Sequence, residues 1–199
     1  MKFRSGVIAS STLALALVLT GCATSEMSGM NHEGTATPSE AAVDGTFNAA
    51  DEMFVTEMIP HHEQALEMAE MVLAKDGVDE RVIAIAERIK EAQQPEIDLM
   101  NSWLEAWGLD MGMGDMEGMD HGSGGMMSDE DMAALEAASG ADASSLFLEQ
   151  MIMHHTGAID MAQQELDNGE NADALKLAQN ISDSQTAEIA EMEQLLTEL

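Results

Sequence analysis

Three observations mark this 199-residue chain as all-α, a four-helix bundle built from one helical hairpin used twice. A sixteen-residue block occurs twice. Phe54–Ala69 and Phe147–Ala162 both fit F-x-x-x-M-I-x-H-H-x-x-A-x-[ED]-M-A, offset by 93 residues. Apolar residues recur at spacings of three and four through long segments, the period of a helix with one buried face. Aromatic residues are scarce (four Phe, two Trp and no Tyr), so Ala, Leu, Ile and Met must supply the core, which favours helices.

The elements follow in order. Lys2 and Arg4 precede an apolar run from Val7 to Leu19, which is too short to span a bilayer, so residues 1–21 read as a secretory signal. The run ends in Leu19-Thr20-Gly21-Cys22, which resembles a bacterial lipobox and implies lipid attachment at Cys22. Residues 22–44 carry no apolar period and read as a Met-containing flexible tether. The bundle occupies 45–199. Its first helix is expected from about Thr46 to Lys75, with Phe54, Met58, His61, Ala65, Met68 and Val72 on one stripe and Gly77 as the stop. Pro60 should kink it by removing a backbone hydrogen bond. The second helix runs from about Asp79 to Trp107 and closes at Gly108. Residues 108–127 form a Met/Gly-rich loop. A short helix follows, with Ser128 as N-cap, Asp131 at the third position and Ser139-Gly140 as the stop. The fourth spans about Ser144 to Asp167, and the last starts from Asn171. Glu96-Ile97-x-x-Met100 matches Glu188-Ile189-x-x-Met192 at an offset of 92, so the repeat covers the whole hairpin.

Without residues 1–21 the chain carries 5 basic and 38 acidic side chains, a formal charge of −33. That field repels nucleic acid and anionic lipid and concentrates cations. Cys22 is the single cysteine. Once it is lipidated, disulfides and thiolate metal sites are excluded. The mature protein is then expected outside the cytoplasm, at the cell surface or in the periplasm, anchored to a membrane by lipid on Cys22.

The chemistry concentrates in the repeated block. On a helix, Met58 lies three and four residues before His61 and His62, so both imidazoles can reach its thioether. Met68 returns to the same face seven residues after His61. Met151, His154, His155 and Met161 repeat the pattern, and Met153 stands where the first copy has Pro60. A buried imidazole needs a partner, and nearby Glu57, Glu63 and Glu149 are candidates. Four imidazoles at matching repeat positions point instead to a metal. Softness selects it. A di-iron bundle would need Glu-x-x-His, which neither block has, and structural zinc would call on cysteine. Methionine with histidine favours copper, Cu(I) foremost with Cu(II) at the histidines, and Ag(I) as an adventitious mimic. Two further clusters, Met27-x-Gly29-Met30-x-His32 and Met116-x-Gly118-Met119-x-His121, share M-x-G-M-x-H outside any core and read as mobile metal-capture arms.

The twin F-x-x-x-M-I-x-H-H blocks with Ala and Met downstream resemble the DUF305 family over roughly residues 45–199. The resemblance implies a ferritin-like bundle lacking the ferritin di-iron residues, and extracytoplasmic copper binding and tolerance. Carried over by position, its ligands are Met58, His61, His62, Met151, His154 and His155; Met153 departs from the Pro usual before the second pair. The expectation is therefore a lipid-anchored copper-binding protein that sequesters or delivers the metal without catalysis, exchanging it with a transporter or chaperone. Two alternatives belong to other classes: a metal-dependent bundle oxidase, and a structural or partner-binding bundle using Met as adaptable packing. The apolar faces also leave room for a homodimer.

Overall fold

The computed structural model describes residues 45–109 and 124–199. Every regular element among them is helical: α1 Ala49–Leu73, α2 Glu80–Trp107, α3 Asp129–Ala137, α4 Gly140–Asn168 and α5 Ala172–Leu196. Cys22 and the arm residues Met27, Met30, His32, Met116, Met119 and His121 lie outside the described residues. No described helix is long and apolar enough to cross a membrane.

Local sequence sets the helix ends. Asn48 caps α1 and forms a reciprocal box with Asp51, as Ser128 does with Asp131 on α3. Asp79 caps α2 and Asn171 caps α5 through side-chain acceptors. Caps of this kind are each worth about 0.5–2 kcal/mol. Gly108 ends α2 in the left-handed conformation that a side chain would oppose. α1 is helical on both sides of Pro60, and α2 on both sides of Pro95. The start of α4 differs from the sequence expectation. Gly140 opens α4 instead of stopping α3, and Ser144 lies a turn inside the helix. Its hydroxyl serves the start of another helix: it accepts from the Asp79 N–H at 3.0 Å while donating to the Gly140 carbonyl.

α1 pairs with α2, α4 pairs with α5, and α1 packs on α4 to join the two hairpins. α1 and α4 run antiparallel. The Asn48 amide donates to the Asn168 carbonyl at 2.9 Å, Asp51 lies beside Glu165, and the His61 ring lies against that of His154. Residue numbers in each pair sum to 215 or 216. The repeat offset makes His154 the equivalent of His61, so the residue opposite His61 is its own copy. An approximate two-fold axis therefore passes between these two rings. The cores on either side of it are one cluster around Met68, Phe147 and Met151, and another around Phe54, Met58 and Ala158.

At one end of the α1–α4 seam two carboxyl groups meet in the interior. Burial pushes Asp51 up, but N–H donors from Asn48, Asn171 and Glu170 outweigh it and hold its carboxyl below the usual range. Glu165, 1% exposed, is pushed up to about 8 by burial and by the neighbouring Asp51 carboxylate. At neutral pH Glu165 thus keeps its proton beside Asp51, where the start of α1 meets the end of α4. A folded-state pKa raised above the unfolded value of about 4.5 gives stability that is full below 4.5 and lost as pH rises to about 8. Urea unfolding of the metal-free protein should therefore show stability falling between pH 6.5 and 8. Glu165→Gln, which cannot ionise, should flatten that slope, and an unchanged slope would contradict the assignment.

Candidate metal centre

The centre of the α1–α4 seam is polar in an apolar interior. His61, His62, His154 and His155 are all 0–1% exposed, because Ile59, Ala65, Leu148 and Ala158 fill the flanking core positions. The His61 and His154 ring centroids lie 3.7 Å apart at a 37° tilt, and those of His154 and His155 6.4 Å apart. The fold therefore brings both histidine pairs together across the axis.

Each imidazole can be followed atom by atom. His62 Nε2 donates to Glu96 Oε2 at 2.8 Å, and His155 Nε2 donates to Glu188 Oε2 at 2.6 Å. His61 Nε2 lies 2.9 Å from the Gly124 carbonyl oxygen, which can only accept, so that nitrogen carries the proton. In all three rings Nδ1 is then the nitrogen with the free lone pair. Among the described residues it is buried and without a hydrogen-bond partner in each, and His154 has no partner at either nitrogen. Buried polar atoms are normally satisfied. Here five of the exceptions among the described residues are ring nitrogens of these four histidines, atoms a metal can take. A histidine whose far N–H is held by a carboxylate or carbonyl is the usual second shell of a metal-ligating imidazole.

Electrostatics keep those lone pairs available. Burial, followed by the neighbouring imidazole of His62, lowers His61 to about 3 despite the opposing hydrogen bond to Gly124. Burial and then the neighbouring rings of His61, His155 and His62 hold His154 well below its ordinary range. Both rings are neutral at any physiological pH, so protons compete weakly for them. No three His, Cys, Asp or Glu side chains among the described residues stand ready as a cage. The adjoining His61 and His154 rings fill the space between themselves, so an incoming ion must part them.

The remaining sequence-derived residues divide. Met58 and Met151, fully buried one turn before each pair, lie on opposite sides of the axis. Met68 is buried and Met161 half-buried, each seven residues beyond the first histidine of its pair. That is about 10 Å along the helix. Met68 packs in the core around Phe147, and Met161 lines a cleft with Met53, Glu57 and Glu165. Met153 is 52% exposed, unlike the histidines that follow it. The carboxylates were misassigned from sequence. Glu96 and Glu188 hold the imidazoles, not Glu57, Glu63 or Glu149, all of which face solvent. Their signal was the Glu-Ile-x-x-Met repeat, which places one acid per hairpin at matching positions. Gln93 and Gln185, one turn before each acid, are likewise buried with an unpartnered side-chain oxygen.

Fold and site together define a class: an internally duplicated helical bundle whose dyad is occupied by four buried imidazoles. The chain belongs to the family Domain of unknown function (DUF305), whose model matches residues 51–196. Solved structures agree. A putative secreted DUF305 protein from Streptomyces coelicolor is 33% identical, over 75% of this chain and 91% of that one, with a TM-score of 0.67. A DUF305 fragment from Deinococcus radiodurans is 30% identical, over 78% of this chain and 100% of that one, with a TM-score of 0.71. CopM in its Cu(II)-bound form is 32% identical, over 74% of this chain and 96% of that one, with a TM-score of 0.63, and CopM also has solved Cu(I)-bound and Ag-bound forms. Among curated proteins nothing matches.

Depressed histidine pKa values make the metal-free fold acid-sensitive. A folded value below the unfolded 6.5 gives stability present above 6.5 and lost as pH falls towards 3. The urea midpoint should drop between pH 6 and 4, and His61→Asn with His154→Asn should reduce that drop. An equal drop in the variant would show that other groups control acid unfolding.

Proposed function

We propose that this protein is an extracytoplasmic copper-binding protein, tethered to a membrane by lipid on Cys22, that holds Cu(I) for sequestration or delivery. The observation that carries the reading is the set of four buried imidazoles that the fold brings to the seam, each with an Nδ1 that has no hydrogen-bond partner among the described residues. Copper fits this donor set. Neutral imidazole suits Cu(II), and the buried thioethers of Met58 and Met151 add soft donors that favour Cu(I). Similarity to CopM, solved in Cu(II)-, Cu(I)- and Ag-bound forms, supports the same metal. Met68 and Met161 act as outer thioethers, two turns away. The M-x-G-M-x-H arms capture the ion and the acidic surface raises its local concentration. Burial of every imidazole leaves a substrate no route to the metal, which favours storage or transfer over turnover. A copper transporter or chaperone on the same side of the membrane is the partner such a role requires.

Anaerobic Cu(I) titration of the protein lacking residues 1–22 tests this. Changing His61, His62, His154 and His155 to Ala should remove at least one tightly bound ion, with helicity retained. Saturating Ag(I) should raise the melting temperature of the unaltered protein, because a ligand of the folded state alone stabilises it. Unchanged stoichiometry and affinity in the variant would remove the bundle site from the account.

A further inference from the structure

A two-fold arrangement of ligands is crossed here by a single segment of chain, and the sequence is adapted to that crossing. The repeat offset makes Gln64 and Gly157 equivalent positions, each two residues after the second histidine of its pair. They are unlike because they meet different parts of one asymmetric segment, Gly124–Met127. On the first side, the Gln64 side-chain amide grips the Met127 backbone at both ends. It accepts from the Met127 N–H at 2.7 Å and donates to the Met127 carbonyl at 2.9 Å. On the second side, the chain lies directly on α4. A Cβ at Gly157 would fall 1.7 Å from the Gly124 oxygen and 2.7 Å from the Gly125 Cα. These are backbone atoms that cannot swing away. A Cβ at Gly125 would in turn meet the Met153 carbonyl at 2.6 Å, and Gly124 and Gly125 both have positive φ, 93° and 81°. Three Cα–Cα steps separate Gly124 from Met127, a reach of about 10 Å at full extension. That suffices to lie across one helix seam and little more. At the α4 anchor, the Gly124 carbonyl takes the His61 N–H.

We propose that Gln64 and Gly157 are positioning residues of the histidine cluster: they seat Gly124–Met127 across it, so that the Gly124 carbonyl holds His61 in the Nε2–H tautomer and presents its Nδ1 as a ligand atom. This rests on the copper reading only for the use made of Nδ1; the tautomer itself belongs to the metal-free protein. The seat also makes the two halves of the site unequal. Glu96, Glu188 and the Gly124 carbonyl fix three imidazoles. The fourth, His154, is the copy of His61 that one segment cannot also reach, and neither of its ring nitrogens has a hydrogen-bond partner among the described residues.

Two-bond 1H–15N spectra of the metal-free mature chain, labelled at histidine, read each tautomer directly. Wild type should show His61, His62 and His155 as Nε2–H. Gly157→Ala and Gln64→Ala should each turn His61 into a mixture of tautomers while His62 and His155, held by carboxylates, stay unchanged. Gln64→Glu, which still accepts from the Met127 N–H, should restore part of the His61 signal. In the same variants Ag(I) affinity should fall about 10–100-fold, the usual loss on removing a second-shell partner. If Gly157→Ala does not fold, Gln64→Ala and Gln64→Glu carry the test alone. A His61 tautomer that is Nδ1–H in wild type, or indifferent to Gln64→Ala, overturns the proposal. Were the tautomers to behave as expected while no metal bound, the copper reading would fail and this one would stand.

Discussion

The contact between His61 and His154 is the constraint around which the bundle is arranged. A duplicated hairpin that packs on itself in antiparallel fashion has one level at which a residue faces its own copy, and here that residue is histidine. Two imidazoles at that level are buried from all sides by the aliphatic residues of both hairpins. Their burial is unfavourable unless each ring stays neutral and its N–H finds an acceptor. The surrounding structure answers both conditions in part. Desolvation keeps the rings uncharged, and acceptors on α2, on α5 and on Gly124 take three of the four N–H groups. What is left over is a set of lone pairs with no protein partner.

Those orphaned lone pairs tie stability to function. A fold selected for stability alone would put Leu or Met at the dyad, where removing both polar partners is close to neutral or stabilising. This one keeps polar atoms unsatisfied at its centre and compensates around them. Capping boxes, the Asp51–Glu165 pair at one end of the seam and dense aliphatic clusters on both sides hold the frame while the middle stays polar. An ion bound there would relieve the frustration and gain from it.

Much of this was legible in the sequence because it depends on period and repetition. The stripes gave four long helices, and the 93-residue offset gave the hairpin repeat and so the meeting of His61 with His154. Asn171, Ser128 and Gly108 declared helix ends by their own chemistry. What escaped depends on contacts far apart in the chain. Glu96 and Glu188 were visible as a repeat but not as imidazole partners, since only antiparallel packing within each hairpin brings them to His62 and His155. The roles of Gln64 and Gly157 depend on Gly124–Met127 crossing both helices, a contact no local pattern shows. Ser144 lies a turn inside α4 because Gly140 already opens that helix. Met153 shared the spacing of a ligand but lies on the exposed face.

The most direct measurement is a crystal structure of the copper-loaded protein with anomalous data at the copper edge. The account predicts a peak at the dyad, bound by Nδ1 atoms from both α1 and α4, with the His61 and His154 rings moved apart and Glu96 and Glu188 still on Nε2. A dyad without copper, with the His61–His154 contact intact and the ion held only by exposed methionines, would contradict it.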